Sequence, residues 1–281
     1  MDEPRIERLP GPGYLEQNRR LVEQRRLLDE VWEEETEEFL ERLEISSGER
    51  VLELRCGPGL GLGRLARRVG SRGEVVGFEP DALLAAEGGR RVQEEGHKTV
   101  RLISGDFLSL PLIPGSFDVV YCCWGLASWG ERAQVLKQAH RLLAPGGRLG
   151  IFDFHREGTR MFPHTPAIEA VLGASVAYHR QQGTEVVLTG LLPELFLSSG
   201  FLLDGAWPRQ KAEAPGTLSY RWIESMLLDL GPRLLESRLL DPDQWGAFLL
   251  EWEARRVDPK TLLFSPPAVG VLARPLSNVS L

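Results

Sequence analysis

The sequence is poor in cysteine, lysine and asparagine, and it contains no long hydrophobic run. Its 3 cysteines include the adjacent pair Cys122 and Cys123, and their spacing fits neither a disulfide framework nor a zinc site. No apolar stretch approaches the roughly 18 residues that a membrane-spanning helix needs, and the acidic start Met1-Asp2-Glu3 is atypical of a signal peptide. These absences predict a cytoplasmic protein with reduced cysteines, no bound metal and no membrane span.

Positive charge is carried almost entirely by arginine, and it is outweighed by acidic residues. The formal net charge of −7 argues against a nucleic-acid substrate held on a broad basic surface. Helical spacing predicts that the arginines at 64, 67 and 68 form a solvated face. The same reasoning predicts a solvated face for the glutamates at 34, 35, 37 and 38.

The most informative stretch is residues 51–69, which predicts a strand, a glycine turn and a helix. Val51, Leu52 and Leu54 suit a buried strand, and the helical spacing begins near Leu60. Gly57 and Gly59 allow a tight turn with close approach of another backbone. The backbone N–H groups at such a turn are available to the polar end of a ligand.

The next segment predicts an adenosine-containing ligand at this turn. Residues 74–78 read as a second strand that ends in Glu79, roughly 20 residues after the glycines, where a carboxylate can accept hydrogen bonds from both ribose hydroxyls. A dinucleotide fingerprint fits only from Gly61 to Ala66, which starts late and falls where the helix should already have begun. The spacing of Glu53, Gly57 and Gly59 is the better fit.

That earlier spacing resembles motif I of the class I S-adenosylmethionine-dependent methyltransferases. Further segments match in order: Gly105-Asp106-Phe107 after a third strand, Phe117-Asp118-Val119-Val120 in a fourth, and Pro145-Gly146-Gly147 before a fifth. The last two are similar to ubiquinone/menaquinone-type methyltransferases and their small-molecule relatives. The resemblance implies an α/β fold: a Rossmann-like, seven-stranded, mostly parallel sheet with an N-terminal helical cap and helical insertions over the active site.

The resemblance also implies a cofactor, S-adenosylmethionine, with S-adenosylhomocysteine as product, and a set of residues to hold it. Glu79 would bind the ribose, Asp106 the adenine amine, and the backbone of the glycine turn the methionyl part. The full set of residues implied in cofactor binding is Glu53, Arg55, Cys56, Gly57, Gly59, Glu79, Pro80, Asp106, Phe107, Cys122 and Cys123, with Tyr14 and Gln24 from the cap.

Arg55 is the one departure from the motif, because it stands where the family has a glycine. A long cationic side chain there either crowds the cofactor or turns away to pair with an acid. The sequence therefore leaves three functions open: a small-molecule methyltransferase acting at O, N or C, a noncatalytic or weakened cofactor-binding protein, and a protein or RNA methyltransferase.

The catalytic base is unassigned, because methyl transfer can be driven by positioning and desolvation of the nucleophile alone. The candidates are His155, His164 and His179, whose imidazoles can take a proton near neutral pH, and Asp153 at the end of the fifth strand. The oligomeric state, monomer or homodimer, is left open.

The chain divides into four predicted regions. Residues 1–13 are a flexible N-terminus, 14–46 the helical cap, 47–154 the cofactor-binding half of the Rossmann-like domain, and 155–281 a substrate lid, a helical cover and the last strands of the same sheet. The cover, residues 218–256, carries Trp222, Trp245 and Trp252 as core anchors or as stacking partners for the acceptor.

Overall fold

A computed structural model describes residues 12–276, with side chains from residue 20 onward. The N-terminal part forms two consecutive helices, α1 (Pro12–Val31) and α2 (Glu33–Arg42). Trp32, which separates them, is fully buried among aromatic side chains of the main body. The predicted cap is therefore a helix pair held to the rest of the molecule by an aromatic anchor.

Seven strands form the main sheet, in the order β3-β2-β1-β4-β5-β10-β7. The first five strands are mutually parallel, whereas β10 is antiparallel to both of its neighbours. This confirms the predicted mostly parallel sheet of seven strands. The strands are β1 (Arg50–Leu54), β2 (Glu74–Phe78), β3 (Val100–Ile103), β4 (Phe117–Cys123), β5 (Leu143–Phe154), β7 (Phe201–Arg209) and β10 (Ala268–Pro275).

Helices cover both faces of the sheet. The described helices after the cap are α3 (Leu62–Val69), α4 (Ala82–Glu94), α5 (Arg132–Leu142), α6 (Pro166–Gln181), α7 (Leu188–Ser198), α8 (Leu218–Glu236) and α9 (Pro242–Arg255). Because side chains alternate along a strand, Val51 packs on the face with the cap and α8, and Leu52 packs on the face with α5 and α7. None of the described helices combines the length and apolar character needed to cross a bilayer.

A second, small sheet joins the lid region to the end of the chain. It contains β6 (Arg160–Phe162), β9 (Leu262–Phe264) and β8 (Ala212–Glu213), in that order and antiparallel. The sequence did not predict this sheet. Its strands have two or three residues each, which is too short for alternation of apolar and polar residues to be recognised.

The predicted solvated faces are wrong in part, because the cap covers one of them. Arg64 is only 7% exposed and lies under α1 and α2. Its guanidinium contacts Asp29 at 2.5 Å and Glu37 at 3.1 Å. Glu35 and Glu38 are likewise paired, with Lys211 and Arg209, whereas Arg67 and Glu34 are exposed as predicted.

Candidate active site

The site begins at the glycine turn between β1 and α3. Gly57 and Gly59 have φ angles of 56° and 75°, in the left-handed region that favours glycine. A Cβ atom on Gly59 would lie 3.1 Å from the Cα of Gly88, so the turn approaches α4 too closely for a side chain. Gly57 differs from Gly59: it is buried, yet a Cβ atom there would have no described atom within 4 Å other than those of Gly57 and its two chain neighbours. The turn therefore faces empty space that is sheltered from solvent.

Glu79, at the end of β2, is attached to this turn. One carboxylate oxygen accepts a hydrogen bond from the backbone N–H of Gly57 at 2.9 Å, and the other accepts from Asp81 N–H at 3.0 Å. The side chain is buried, with 3% exposure. The adjacent parallel strands β1 and β2 bring the acid and the glycine turn together at the carboxyl edge of the sheet, where ligands bind in open α/β sheets.

Glu53 lies on the inner side of the turn and has an unusual protonation state. It is 4% exposed, and its Oε2 atom is buried without a hydrogen-bond partner among the described residues. Burial, with a smaller contribution from the nearby carboxylate of Asp29, raises the pKa of Glu53 to about 8. At neutral pH the site therefore holds a largely protonated carboxylic acid.

Residues 51–147, which hold this turn, the first four strands and the start of β5, match the family model described as a methyltransferase domain. They form a class I S-adenosylmethionine-dependent methyltransferase domain. This agrees with the resemblance and with the sheet order.

Curated relatives each match about half of the chain. The chain is 36% identical over 118 residues to a 2-phytyl-1,4-naphtoquinone methyltransferase of Synechocystis, which covers 42% of this chain and 50% of the relative. It is 33% identical over 151 residues to the methyltransferase GfsG of Streptomyces halstedii, covering 53% and 54% of the two chains. The chain thus spans about half the length of the curated relatives it matches.

A solved structure extends the likeness in fold to most of the chain. The structure of a putative methyltransferase from Bacillus halodurans is 18% identical, with a TM-score of 0.58, and the match covers 84% of this chain and 96% of that one. The likeness in fold therefore extends well beyond residues 51–147.

The methyltransferase domain brings most of the predicted turn residues around one small cavity, of about 40 Å³. Glu53, Arg55, Cys56, Gly57 and Cys123 all line it. Residues that the sequence did not single out line it as well: Arg25, Asp29, Thr36, Leu40, Tyr121 and Trp124. A recognisable signal existed only for the four of these residues that lie in the predicted cap, Arg25, Asp29, Thr36 and Leu40.

Other residues predicted to bind the cofactor lie elsewhere. Pro80 and Asp106 are exposed, and Asp106 accepts a hydrogen bond from Leu108 N–H at 3.1 Å. Phe107 is buried and packs on Phe78. Cys122 faces away from Cys123, since successive side chains of β4 point to opposite faces.

Of the two cap residues predicted to bind the cofactor, only one has a described side chain. Gln24 is half-buried on α1. Tyr14 lies in α1 but outside the residues whose side chains are described. Residues 1–11 of the predicted flexible N-terminus lie outside the described residues altogether.

Arg55 adopts the backbone conformation of the glycine it replaces. Its φ angle is 54°, which strains a residue with a side chain. The side chain pairs with no acid among the described residues; its guanidinium carbon lies 5.7 Å from the centre of the Trp129 ring. A Cβ atom on Gly125 would lie 2.9 Å from the Cβ of Arg55, so the absence of a side chain at Gly125 makes room for the arginine.

The four candidate bases are separated by the fold. Both carboxylate oxygens of Asp153 accept backbone hydrogen bonds, from Ala127 N–H at 3.1 Å and from Phe154 N–H at 2.8 Å, and burial raises the pKa of Asp153. His155 lies beside Thr189, with 3.3 Å between Nδ1 and Oγ1, and His164 is exposed and paired with Glu169. Of these four, His179 lines a second cavity of the described residues.

That second cavity lies beyond the carboxyl end of β5 and has a volume of about 330 Å³. An aromatic stack runs between the two cavities: the ring of Trp124 lies 4.2 Å from that of Phe154, which lies 5.5 Å from that of Trp222. Trp124 lines the first cavity, whereas Phe154 and Trp222 line the second. The two cavities are therefore neighbours across one aromatic wall.

The other tryptophans of the cover are core residues. Trp252 is 2% exposed and donates a 2.5 Å hydrogen bond to Glu224. Trp245 stacks on Phe248 with 5.1 Å between ring centres. No group of three or more described His, Cys, Asp or Glu side chains is arranged to hold a metal ion.

Proposed function

We propose that the whole chain is an S-adenosylmethionine-dependent methyltransferase that acts on a small-molecule acceptor. The observation that carries this proposal is the cavity at the turn, which Gly57 and the protonated Glu53 line, with the Glu79 carboxylate bound to the N–H of Gly57. Curated relatives that each match about half of the chain are named as methyltransferases, one of them for a naphthoquinone.

The residues at the turn suit the different parts of the cofactor. Glu79 already binds the turn and can accept hydrogen bonds from the ribose hydroxyls. The backbone at Cys56, Gly57 and Gly59 would contact the methionyl part. Glu53 has an unpartnered buried oxygen that can accept from the cofactor's ammonium group, which would favour its ionised form. When bound, the cofactor supplies an electrophilic methyl group on a sulfonium.

The cofactor would require movement of the cap. The cavity at the turn measures about 40 Å³, whereas small-molecule sites enclose roughly 300–1,000 Å³. Residues of α1 and α2 line that cavity, and the Arg25 guanidinium donates to the backbone oxygen of Trp124 at 3.3 Å. The helix pair would therefore act as a lid that opens to admit cofactor and then closes over it.

The acceptor would occupy the second cavity, and a ring of the aromatic wall would have to move aside so that the acceptor's nucleophilic atom contacts the methyl group. Desolvation there would raise the reactivity of its nucleophilic atom, and no base is assigned, because the lowered pKa of His179 makes its imidazole a weak proton acceptor near neutral pH. The net charge of −7 and this enclosed cavity favour a small acceptor over a nucleic acid. The 3 free cysteines support a cytoplasmic location as part of the same proposal.

A noncatalytic cofactor-binding protein is the second candidate, because one observation favours it. Arg55 lines the cavity at the turn, and that cavity is much smaller than the cofactor. If the arginine rather than the cap sets this size, cofactor binding will be weak. The position of Arg55 over Trp129 favours the cap as the limiting element.

Transfer of a labelled methyl group tests the proposal. The protein is incubated with methyl-labelled S-adenosylmethionine and a bacterial extract that has been separated by filtration into small and large molecules. We expect label in the small-molecule fraction, and at least a tenfold lower rate for Glu79→Gln. Glu94→Gln is the matched control, because Glu94 is an exposed acid on α4. Label only in the macromolecular fraction would support a protein or RNA methyltransferase, and label in neither would support the noncatalytic candidate.

A further inference from the structure

The second cavity has a mixed lining, apolar on one side and charged on the other. Phe154, Leu172, Trp222 and Met226 provide apolar walls from β5, α6 and α8. Its volume of about 330 Å³ falls within the range of roughly 300–1,000 Å³ for sites that hold small organic molecules. The walls suit a flat apolar or aromatic body, which can stack on Phe154 or Trp222.

Arg156 lines the same cavity, and its charge has no direct partner. Its Nε atom is buried without a hydrogen bond, and no described carboxylate oxygen lies within 4 Å of its guanidinium. The guanidinium carbon lies 5.8 Å from the centre of the Phe154 ring. Burial lowers the pKa of Arg156, while the more distant Asp153 opposes that effect. Arg156 is half-buried with a fully buried Nε atom, and a partly desolvated guanidinium without an ion pair favours binding of an anion supplied by a ligand.

His179 provides a second unpartnered polar atom in the cavity lining. Its Nε2 atom is buried without a hydrogen bond among the described residues. Burial, with a smaller contribution from Arg156, lowers the pKa of His179 to about 4. The imidazole is therefore neutral at physiological pH, where it can share one hydrogen bond with a ligand without adding charge.

The remaining charged groups of the lining are already satisfied by protein partners. Arg180 pairs with Glu157, and Glu169 pairs with His164. Arg160 donates to the backbone oxygens of Glu157 and Thr159 at 2.8 and 2.7 Å. Arg156 is therefore the cation in this lining that lacks a protein partner among the described residues.

We propose that the acceptor of this protein carries a carboxylate, which Arg156 binds while His179 donates or accepts one hydrogen bond. The apolar or aromatic body of the acceptor lies against Phe154 and Trp222, next to the aromatic wall that faces the cofactor site. This inference rests on the proposed function in one respect, since it takes the ligand of this cavity to be the methyl acceptor. The anion site itself depends only on the cavity.

Calorimetric titration with three naphthalene probes tests the anion site directly. The probes are 2-naphthoate, its neutral amide 2-naphthamide, and 2-naphthyl phosphate. We expect wild-type protein to bind 2-naphthoate at least tenfold more tightly than 2-naphthamide. The ratio should fall below about two in Arg156→Gln and be partly retained in Arg156→Lys, which keeps the charge but loses the planar donors.

The control variant is Arg233→Gln, which removes an exposed arginine from α8, outside the cavity lining. It should leave the tenfold ratio unchanged. Melting temperatures of all variants, measured beside the titrations, show whether Arg156→Gln is folded; if it is not, the comparison of Arg156→Lys with the control takes its place.

Three results would overturn the proposal: equal affinity for the acid and its amide, no binding of either, or a carboxylate preference that survives in Arg156→Gln. Tighter binding of the phosphate than of the carboxylate would also overturn it and assign the site to phosphate esters. Titration with S-adenosylmethionine separates the two proposals. A carboxylate preference without cofactor binding would defeat the proposed function alone, and cofactor binding without that preference would defeat the anion site alone.

Discussion

At the scale of single residues, the arginine in the glycine motif is tolerated because a neighbouring glycine makes room for it. Arg55 has a φ angle of 54°, and a Cβ atom on Gly125 would lie 2.9 Å from its Cβ. The substitution Gly125→Ala should therefore destabilise the protein, by roughly 1–3 kcal/mol. Arg55→Gly should relieve strain and leave stability unchanged or raised by about 1 kcal/mol.

The double variant measures whether the two positions compensate. Gly125→Ala should lower the free energy of unfolding less in the Arg55→Gly background than in wild type. We expect a difference of about 1 kcal/mol between the two losses, measured by urea unfolding. The added Cβ atom at position 125 would also lie 3.1 Å from Cys122 Sγ, so Arg55→Gly should restore only part of the lost stability. Strictly additive effects would show that the two residues do not compete for this space.

Glu53 predicts a specific dependence of stability on pH. Because the pKa of Glu53 is about 8 in the folded protein and 4.5 in its ordinary state, the folded protein binds the proton more tightly. The free energy of unfolding should fall as pH rises from about 4.5 and level off above about 8, with a limiting slope of about 1.4 kcal/mol per pH unit.

The variant Glu53→Gln isolates this contribution, since the amide is neutral at every pH. Urea unfolding at pH 6 and pH 8.5 should show a smaller loss of stability in Glu53→Gln than in wild type. The matched control Glu94→Gln, on the surface of α4, should behave as wild type. Equal losses in all three proteins would contradict the protonated state of Glu53.

At the scale of elements, the cap helices are held to α3 by one buried arginine. Arg64 contacts Asp29, Glu33 and Glu37, at distances of 2.5, 3.4 and 3.1 Å. Replacing it with methionine should leave carboxylates near the interface without their cation and raise the population of an open cap, at a cost of roughly 1–3 kcal/mol.

Hydrogen exchange along α1 measures this opening. In Arg64→Met the amides of residues 20–31 should exchange faster, and cofactor should both associate and dissociate faster. Arg67→Met is the matched control, because Arg67 is exposed on the same helix. Exchange unchanged from wild type in Arg64→Met would show that the Trp32 anchor alone holds the cap.

Two glycines of the cover helices, Gly231 and Gly246, differ in how closely other residues pack against them. A Cβ atom on Gly231 in α8 would lie 2.2 Å from the Trp245 ring, whereas one on Gly246 in α9 would meet no described atom within 4 Å. Gly231→Ala should destabilise the protein by roughly 1–3 kcal/mol. Gly246→Ala should be neutral or stabilise it by up to about 1 kcal/mol. Equal stabilities of the two variants in urea would contradict this packing.

At the scale of the whole molecule, the strands and the glycine turn could be predicted from the sequence because they depend on the local order of apolar residues, glycines and acids. The apolar run before Gly57 and the acid after β2 identified the parallel strands and the turn between them. The burial of Arg64 could not be predicted, because its spacing on α3 suits a solvated face and only the docked cap turns that face inward. Arg156 was missed for a similar reason, since nothing near it in sequence shows that α6 and α8 enclose it.

The central claim is that the glycine turn binds S-adenosylmethionine after the cap opens. Calorimetric titration of the wild-type protein with S-adenosylmethionine, and with S-adenosylhomocysteine in parallel, tests it most directly. We expect one site per chain with micromolar affinity for both. Absence of binding to either ligand, in protein shown by its melting transition to be folded, would contradict the account.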